Sequence, residues 1–343
     1  WEVTVVSLSD CKSDFYVLSP SVARIGLGLL QESANVVSAL YHNLTRVLAL
    51  RRVLIQAKPQ VALAMMDKAN IILSFAAWRL PNILPLGSER IHPPQFPLGR
   101  LWESLRIFCY GQLAAVTALT IESHDWLLQH TAVKRVAVIP NAASWPLKSQ
   151  PPLLMPQAIV PPGRKLLLAI GRLSNQKGFD LLIEAFVKIS PKHSDWHLAI
   201  LGEGHLRSAL YEKIKASELE EHISLVGRVG NAGDWYQAAD LYVMSSRFEG
   251  FPNALAEALS YGVPAVSFDC DTGPSVLIRH QVDGLLVPNG DVAALASSLD
   301  QLMSNPSLRQ AFGAKAIEAR ERFSMERITR MWESLFMELI NER

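Results

Sequence analysis

The sequence has 343 residues, of which 49% are hydrophobic and 19% are charged, a composition that is typical of globular proteins and argues against disorder. Its formal net charge of +1 argues against a protein that binds nucleic acid mainly by neutralising phosphates. Its three cysteines lie far apart, and its most apolar stretch, residues 61–78, is interrupted by Asp67 and Lys68, so neither a disulfide framework nor a membrane-spanning helix is predicted.

The first half of the chain is basic. Residues 1–150 contain 14 Lys and Arg against 9 Asp and Glu, whereas the remaining residues contain 19 against 23. This difference predicts contact with an anionic surface or substrate, although a chance scatter of solvated charges would give the same counts. Because few cysteines suit a reducing compartment, we expect a cytoplasmic protein that contacts the inner face of the plasma membrane peripherally, through anionic lipid.

Strand and helix patterns alternate through this half. Residues 3–8 form the first predicted strand, and residues 31–56 form a helix whose apolar side is expected to be covered. The basic face of this helix consists of Arg46, Arg51, Arg52 and Lys58. Later patterns predict strands at 61–65, 83–86, 115–121 and 136–139, and helices at 70–78, 98–115 and 125–129, the last of them capped by Ser123. This alternation is typical of parallel βαβ units.

A proline-rich segment separates two such halves. Residues 140–163 contain seven of the 20 prolines and have no helical period, so they are predicted to form a semi-rigid linker. Strands and helices then alternate again from residue 165 to the C terminus. We therefore divide the chain into a first Rossmann-like domain, a linker, a second Rossmann-like domain and a helix that packs back towards the first domain, at residues 1–143, 144–163, 164–323 and 324–343.

The segment with the clearest functional pattern is 245–264, in which a strand runs into a turn and a helix. Glu249 and Gly250 lie in the turn, Pro252 is expected at the first helical position, and Glu257 lies about one turn inside the helix. Free backbone N–H groups at such a helix start bind phosphate. Both carboxylates could accept hydrogen bonds from sugar hydroxyls, although either could instead be an ordinary solvated acid.

A second loop carries the complementary charge. The predicted strand at 165–170 ends in Gly171 and Arg172, followed by Lys177 and Gly178. Open parallel sheets bind ligands beyond the carboxyl ends of their strands, where this loop is expected. The planar donor fork of arginine and the point charge of lysine together suit a diphosphate. Incidental solvated cations are the alternative interpretation.

Together these residues resemble the family 4 retaining glycosyltransferases, also called glycosyl transferases group 1, of the kind that builds surface polysaccharides or lipid-linked oligosaccharides. The resemblance covers most of the chain and includes residues 139–141, 201–204, 226–228, 269–274 and 283–288. It implies the GT-B fold, an α/β architecture of two doubly wound Rossmann-like domains with a cleft between them. It also implies a nucleotide-sugar donor, with UDP as the nucleotide, that is held mainly by the second half.

The resemblance further implies a role for each matching residue. Arg172 and Lys177 would hold the diphosphate, Glu257 the ribose hydroxyls and Glu249 the sugar, which makes Glu249, Arg172 and Lys177 the catalytic candidates. The remaining donor-binding candidates are Gly171, Gly227, Arg228, Gly250, Phe251, Pro252, Asn253 and Ala254. In the first half, Arg90 and His92 lie in a Ser-Glu-Arg loop and could contact the acceptor or the phosphate, although a structural role suits each of them equally well.

Two other motifs have weaker interpretations. Gly202-Glu-Gly204 is similar to a dinucleotide fingerprint, but Arg207 occupies the third glycine position. Asp269-Cys-Asp271 is similar to a metal-binding D-x-D pair, but it lies late in a doubly wound domain, opposite the cationic loop. The nine histidines have no metal-ligand spacing. We therefore expect no metal site and no cofactor besides the nucleotide-sugar substrate.

The sequence as a whole favours a retaining glycosyltransferase. It would move a hexose or N-acetylhexosamine from a UDP-sugar to a glycan or to a saccharide linked to polyprenyl diphosphate. A GT-B-fold sugar-nucleotide epimerase is one alternative, for which an acid and a base in the first half would be needed. A catalytically silent UDP-sugar-binding module is the other.

The first predicted strand also leads to an expectation about the native protein. Residues 2–6 resemble the second strand of family members, in which a strand, a glycine-rich turn and a helix come before it. We therefore expect a unit of roughly 30–40 residues to precede Trp1. Without it the first domain lacks its first strand and helix, and the edges of the neighbouring strands stay unpaired.

Overall fold

The computed structural model describes residues 1–13, 18–31 and 34–343 as two α/β halves joined by an extended linker. The described strands of the first half are all parallel and form two separate sheets, β1-β2 and β3-β4-β5-β6. The strands are β1 (Thr4–Ser7), β2 (Ala23–Gly26), β3 (Val61–Leu63), β4 (Leu84–Ser88), β5 (Ala115–Ala118) and β6 (Val136–Val138). The helices are α1 (Val36–Ala57), α2 (Asp67–Ala77), α3 (Arg100–Tyr110) and α4 (Ile121–His130).

The second half is built on one sheet of six parallel strands in the order β12-β11-β10-β7-β8-β9. Its strands are β7 (Lys165–Ile170), β8 (Trp196–Leu201), β9 (Ile223–Gly227), β10 (Leu241–Met244), β11 (Ala265–Asp269) and β12 (Gly284–Pro288). Its helices are α5 (Phe179–Ile189), α6 (Arg207–Ala216), α7 (Ala232–Ala238), α8 (Asn253–Ser260), α9 (Pro274–Leu277), α10 (Val292–Ser304), α11 (Pro306–Ala316) and α12 (Ala319–Arg322).

Both faces of this six-stranded sheet are covered by helices. Successive strand residues point to opposite faces, so Leu167 packs into the core beneath α5 and α10 while its neighbours Leu166 and Leu168 pack into the core beneath α8. All three leucines are buried. Continuous apolar strands such as β7 and β8 are typical of parallel sheets for this reason.

The last helix, α13 (Met325–Asn341), returns to the first half. Its buried residues Ile328, Leu335 and Leu339 pack against Leu86 of β4 and Ala115 of β5. Because this seam lies on the sheet of the first half, α13 ties the end of the chain to the first half. None of the described helices combines the length and the apolar character that spanning a membrane requires.

The helix predicted at 31–56 exists as α1, but its faces differ from the prediction; residues 32 and 33 lie outside the described residues. Six of its apolar residues, expected to be covered, are exposed: Val36, Val37, Leu40, Leu44, Leu48 and Ile55. Arg51, expected on the basic face, donates to the carbonyls of Ala76 and Trp78, both at 2.8 Å. These carbonyls end α2, where a cation interacts favourably with the helix dipole. Arg51 therefore turns inward together with the buried Leu54, whereas these six apolar residues face outward.

Smaller differences concern element ends. Thr120, not Ser123, is the N-cap of α4, because its hydroxyl accepts a hydrogen bond from the Ser123 amide. Pro252 is the N-cap of α8 rather than its first residue. α3 ends at Tyr110 because the chain turns at Gly111, a poor helix former, before it enters β5. The four-residue strand β2 was not predicted, since so short a stretch has little periodicity.

Candidate active site

The candidate site lies where the strand order of the six-stranded sheet reverses. β8 lies on one side of β7 and β10 on the other, and ligands bind beyond the carboxyl ends of strands at such a point. The loop of residues 171–178 follows β7, and the turn of residues 245–252 follows β10. Backbone hydrogen bonds join the two, because the Arg247 amide donates to the Gln176 carbonyl at 2.8 Å. The structure therefore brings together the two segments that the sequence singled out.

An ion pair between Lys177 and Glu249 connects this loop to this turn. Lys177 Nζ lies 2.5 Å from Glu249 Oε1, which also accepts a hydrogen bond of 2.6 Å from the Ser246 hydroxyl. The Thr272 hydroxyl donates to the backbone carbonyl of Glu249. Glu249 is only 6% exposed, so its carboxylate has one fixed orientation. Oε2 has no hydrogen-bond partner among the described residues, and it could accept a hydrogen bond from a ligand hydroxyl.

Arg172 and Gly171 begin the loop. The guanidinium of Arg172 is exposed and makes no hydrogen bond or ion pair within the described parts of the chain, so it is available to an anion. Gly171 lies against the aliphatic stem of Lys177, which would be 3.1–3.2 Å from a Cβ at this position. The missing side chain lets the lysine stem cross the strand end towards Glu249.

The start of α8 offers unpaired backbone donors. Pro252 is its N-cap, no side chain caps the helix, and the amides of Asn253 and Ala254 have no acceptor among the described residues. Such N–H groups and the helix dipole together favour an anion. Phe251 buries its ring edge-on against Phe323 with 5.6 Å between the centroids, so its backbone, which is the part expected to contact the donor, is the part that a ligand can reach.

Glu257 is oriented by a tyrosine that the sequence analysis missed. The hydroxyl of Tyr236, on α7, donates to Glu257 Oε2 at 3.0 Å. Burial raises the pKa of Glu257, whereas this hydrogen bond lowers it. No spacing rule could have found the pair, because the two residues lie on different helices. The arrangement leaves Glu257 Oε1 without a hydrogen-bond partner among the described residues.

Gly227 and Arg228 lie at the same edge of the sheet, two strands away from β7. Gly227 ends β9 with φ of 89°, a left-handed conformation that favours glycine. Its carbonyl accepts a hydrogen bond of 2.8 Å from the Gly202 amide. Arg228 is exposed. These two residues thus lie at the ends of β8 and β9 and do not adjoin the Lys177–Glu249 pair, which follows β7 and β10.

The first half meets this site through the loop that follows β4. Gly250 packs so closely against the backbone of Arg90 and Ile91 that a side chain would overlap them. The Arg90 guanidinium donates to the side-chain oxygen of Asn141. Asn141 Nδ2 in turn donates to Asn253 Oδ1 at 2.9 Å. Arg90 is therefore connected to the start of α8.

His92 has a different environment. It is buried, and its Nδ1 lies 2.9 Å from the Ser123 hydroxyl at the start of α4. Burial lowers the pKa of His92, while the nearby carboxylates of Asp271 and Glu122 oppose that effect. Near it, the Gln95 side chain donates to Asp271, which belongs to the D-x-D-like pair. No group of three or more potential metal ligands occurs among the residues that the structure describes.

A buried polar cluster supports the same loop, and the sequence analysis did not identify it. The Tyr110 hydroxyl donates to Glu89 Oε1, and Arg106 Nε lies 3.6 Å from the same oxygen. Asn70 Nδ2 donates to the Tyr110 hydroxyl at 3.0 Å. Burial raises the pKa of Glu89 to about 7, although Arg106 and Tyr110 act in the opposite direction. Glu89 thus anchors the loop from beneath.

Comparison with known families agrees with this geometry, since residues 154–319 match glycosyl transferases group 1. This segment of the chain belongs to this family. The chain is 31% identical over 231 residues to the amylovoran biosynthesis glycosyltransferase AmsD of Erwinia amylovora, which is 67% of this chain and 64% of that protein. It is 36% identical over 232 residues to an exopolysaccharide phosphotransferase of Streptomyces coelicolor, of which it spans only 24%.

A third relative matches along most of both chains. It is the GalNAc-alpha-(1->4)-GalNAc-alpha-(1->3)-diNAcBac-PP-undecaprenol alpha-1,4-N-acetyl-D-galactosaminyltransferase of Campylobacter jejuni. The identity is 27% over 307 residues, which is 88% of this chain and 82% of that protein.

Solved structures agree on the architecture. The sucrose-phosphate synthase of Thermosynechococcus elongatus superposes with a TM-score of 0.79 at 18% identity, over 100% of this chain and 90% of that one. TarM of S. aureus has a TM-score of 0.72 at 24% identity, over 90% and 60%. Anabaena HepE, solved with UDP and glucose, has a TM-score of 0.74 at 19% identity, over 92% and 85%. The predicted GT-B fold is confirmed.

Proposed function

We propose that this chain transfers a hexose or N-acetylhexosamine from a UDP-sugar to a hydroxyl of a glycan or of a lipid-linked saccharide, with retention of anomeric configuration. The observation that carries the proposal is the ion pair of Lys177 and the buried Glu249 at the strand-order reversal, next to the unpaired amides that begin α8. An anion site beside a fixed carboxylate suits a ligand that joins a diphosphate to a sugar.

The transfer step exchanges two bonds at the anomeric carbon. The bond from this carbon to the β-phosphate oxygen breaks, a bond to the acceptor oxygen forms on the same face, and the acceptor proton passes to the departing phosphate. Arg172, Lys177 and the α8 amides stabilise the negative charge that develops on that phosphate. Glu249 binds a sugar hydroxyl through Oε2, and Glu257 binds the ribose. These cations and amides supply the charge stabilisation that a metal would otherwise give, so no metal is needed.

The names of the relatives support the substrate classes. The Erwinia protein is named for amylovoran biosynthesis, and the Campylobacter protein for a saccharide on PP-undecaprenol. HepE was solved with UDP and glucose, which supports UDP as the nucleotide. The Streptomyces relative is named a phosphotransferase, which favours a second candidate, the transfer of a sugar phosphate. The two reactions differ in their products, because glycosyl transfer releases UDP and sugar-phosphate transfer releases UMP.

A lipid-linked acceptor would have to be reached at a membrane surface. The outward face of α1 is apolar and includes Val36, Leu40 and Leu44, and exposed Arg52 and Lys58 lie towards its C-terminal end. Such a helix can lie in the headgroup region of an anionic membrane with its apolar side buried. Peripheral contact of the first half with anionic lipid is therefore part of this proposal.

One assay tests the proposal. The protein is incubated with UDP-sugars and a saccharide acceptor, with and without EDTA, and the nucleotide, the free sugar and the product anomer are identified by chromatography and NMR. We expect UDP, a product with the anomeric configuration of the donor, and little effect of EDTA. Release of UMP would identify the phosphotransferase, and an altered nucleotide-sugar without acceptor would identify an epimerase. Tight UDP binding with no turnover on any acceptor would leave only the binding module.

A further inference from the structure

Three side chains form a hydrogen-bonded relay from the first half to the start of α8. The Arg90 guanidinium donates to Asn141 Oδ1, and Asn141 Nδ2 donates to Asn253 Oδ1 at 2.9 Å. The relay ends on the first residue of α8, whose backbone amide also lacks an acceptor among the described residues. It thus forms a polar contact between the first half and the candidate anion site.

The chemistry of the side chains fixes the direction of every hydrogen bond in the relay. A guanidinium only donates, so Asn141 must turn its amide oxygen towards Arg90. Its NH₂ group then faces Asn253, which must turn its own oxygen towards Asn141. An amide placed at such a position by itself could be rotated by 180° with little cost. Here the arginine decides the orientation of both amides.

The consequence is that Asn253 keeps its NH₂ group for a ligand. Asn253 Nδ2 has no hydrogen-bond partner within the described residues. It belongs to the same residue as an unpaired backbone amide, and Ala254 supplies the next one. Three groups that donate and do not accept therefore lie at one helix start. Such a set matches an acceptor-only ligand, namely an ionised phosphate.

Arg90 is itself held in place. Its Nη1 lies 3.4 Å from the Ser88 hydroxyl, which accepts a hydrogen bond of 2.8 Å from Thr117. Its backbone carbonyl packs against Gly250, which has no room for a side chain there. The loop is anchored further by the buried Glu89. A rigid arginine can impose one orientation on Asn141, whereas a mobile one could not.

We propose that Arg90 and Asn141 are positioning residues, which fix the Asn253 amide as a hydrogen-bond donor to a phosphate oxygen of the nucleoside diphosphate. Asn253 touches the ligand, and the other two act through it. The ligand class rests on the proposed function. The affinity for the diphosphate then depends on which groups of Arg90 and Asn141 donate and which accept hydrogen bonds, and not only on the presence of the two side chains.

The Asn141→Asp substitution tests the direction of these hydrogen bonds. Aspartate has nearly the same size and keeps the contact with Arg90, but it can only accept, so Asn253 must rotate its amide and turn its oxygen to the phosphate. We expect calorimetry to give a UDP dissociation constant raised about tenfold, the effect of one hydrogen bond to a charged group. Uridine, which has no phosphate, should bind this variant as it binds the wild type. The melting temperature should stay unchanged or rise.

The Asn141→Ala variant is the decisive comparison. It removes the relay but leaves Asn253 free to choose its orientation, so its UDP affinity should lie between those of the wild type and Asn141→Asp. A purely structural role predicts the opposite order, because aspartate preserves the packing and alanine does not. Gln95→Glu, which breaks the separate contact with Asp271, should leave UDP affinity unchanged and so controls for a general loosening of the two halves.

The outcomes separate this proposal from the proposed function. If the wild type binds UDP and Asn141→Asp binds it equally well, or better than Asn141→Ala, the relay is overturned and the transferase activity is not. If the variants follow the expected order but no sugar is transferred to any acceptor, the transferase is overturned and the relay stands. If the wild type binds neither UDP nor inorganic pyrophosphate, both are overturned.

Discussion

The two halves of the molecule differ in how completely their strands are enclosed. In the second half, Leu167, Leu168 and Ala169 of β7 are fully buried between helices on both faces of one continuous sheet. In the first half, Val5 of β1 is exposed, and β1 and β2 pair only with each other among the described strands. Parallel sheets need cover on both faces, and among the described strands the sheet of the second half is the more completely covered.

The difference explains where the charged groups of the site are found. Lys177, Glu249 and Glu257 all belong to the second half, and their partners Ser246 and Tyr236 do too. The first half contributes a single loop and Asn141. Under the proposed function, the second half would hold the nucleotide-sugar, and the first half, with its exposed apolar surface, would contact the acceptor.

The strongest test of this comparison is to distinguish the roles of two carboxylates of the second half, Glu249 and Glu257. Glu249→Ala should lower transfer to the background rate but leave UDP affinity nearly unchanged, because in the proposed function Glu249 contacts the sugar and not the nucleotide. Glu257→Ala should weaken UDP by about 1–3 kcal/mol, the value of a hydrogen bond to a charged group. Steady-state rates and calorimetry check both. Equal UDP affinity in the wild type and Glu257→Ala would refute the ribose assignment.

Removal of Arg172, the exposed arginine of the loop after β7, should have the next largest effect. We expect Arg172→Ala to reduce the rate roughly 10²- to 10³-fold, because one donor that stabilises charge on the leaving phosphate is lost. Arg330→Ala, which removes an exposed arginine of α13 that pairs with Glu326, is the control for loss of one surface cation and should not change the rate. EDTA should have little effect on any of these proteins. If activity disappears with chelator and returns with manganese, metal independence is refuted and Asp269 and Asp271 become the candidate metal ligands.

In the first half the buried Glu89 should make stability depend on pH. Burial raises its pKa from 4.5 to about 7, so the folded state retains a proton that the unfolded chain releases. Stability from this group is complete below about pH 4.5 and is lost as the pH rises to about 7, by on the order of 3 kcal/mol. Glu89→Gln should remove this dependence, which urea unfolding at several pH values measures.

The difference in stability between the wild type and Glu89→Gln isolates the pH dependence that is due to Glu89. The pKa values of the buried His92 and His197 are lowered, so these two groups change stability in the opposite direction. As the pH falls, the unfolded chain binds protons at these histidines before the folded protein does, and the folded protein becomes less stable. These histidines are present in both proteins, so they cancel in the difference. Parallel pH profiles for the wild type and the variant would contradict the assignment.

The smallest expected effect concerns the exposed face of α1. Leu40→Glu and Leu44→Glu should each weaken binding to vesicles that contain phosphatidylglycerol by roughly tenfold, because an exposed apolar side chain that would enter the membrane is replaced by a charge that the anionic lipid repels. Leu153→Glu, at an equally exposed leucine of the linker, is the matched control. Sedimentation with the vesicles at low and high salt measures this. Equal binding to neutral and anionic vesicles would contradict the electrostatic part.

The sequence alone determined those features that depend on neighbouring residues. The pattern of apolar residues predicted β7 at 165–170, as the structure has it, and Pro252 with the following residues predicted a helix where α8 begins. Because parallel strands meet at one sheet edge, the sequence could also place the loop of Lys177 beside the turn of Glu249. Hydrophobic periodicity and turn residues depend only on neighbouring positions, so they can be recognised in a single sequence.

Only the tertiary structure decided which groups far apart in sequence meet. Asn141 bonds Asn253 across 112 residues, Tyr236 orients Glu257 from another helix, and no spacing rule relates either pair. The outward face of α1 was likewise undecided, because apolar residues occur on both of its sides and only packing against α2 selects one. Such contacts depend on the packing of whole elements, which positions groups to within an ångström, whereas local sequence fixes only the element that carries them.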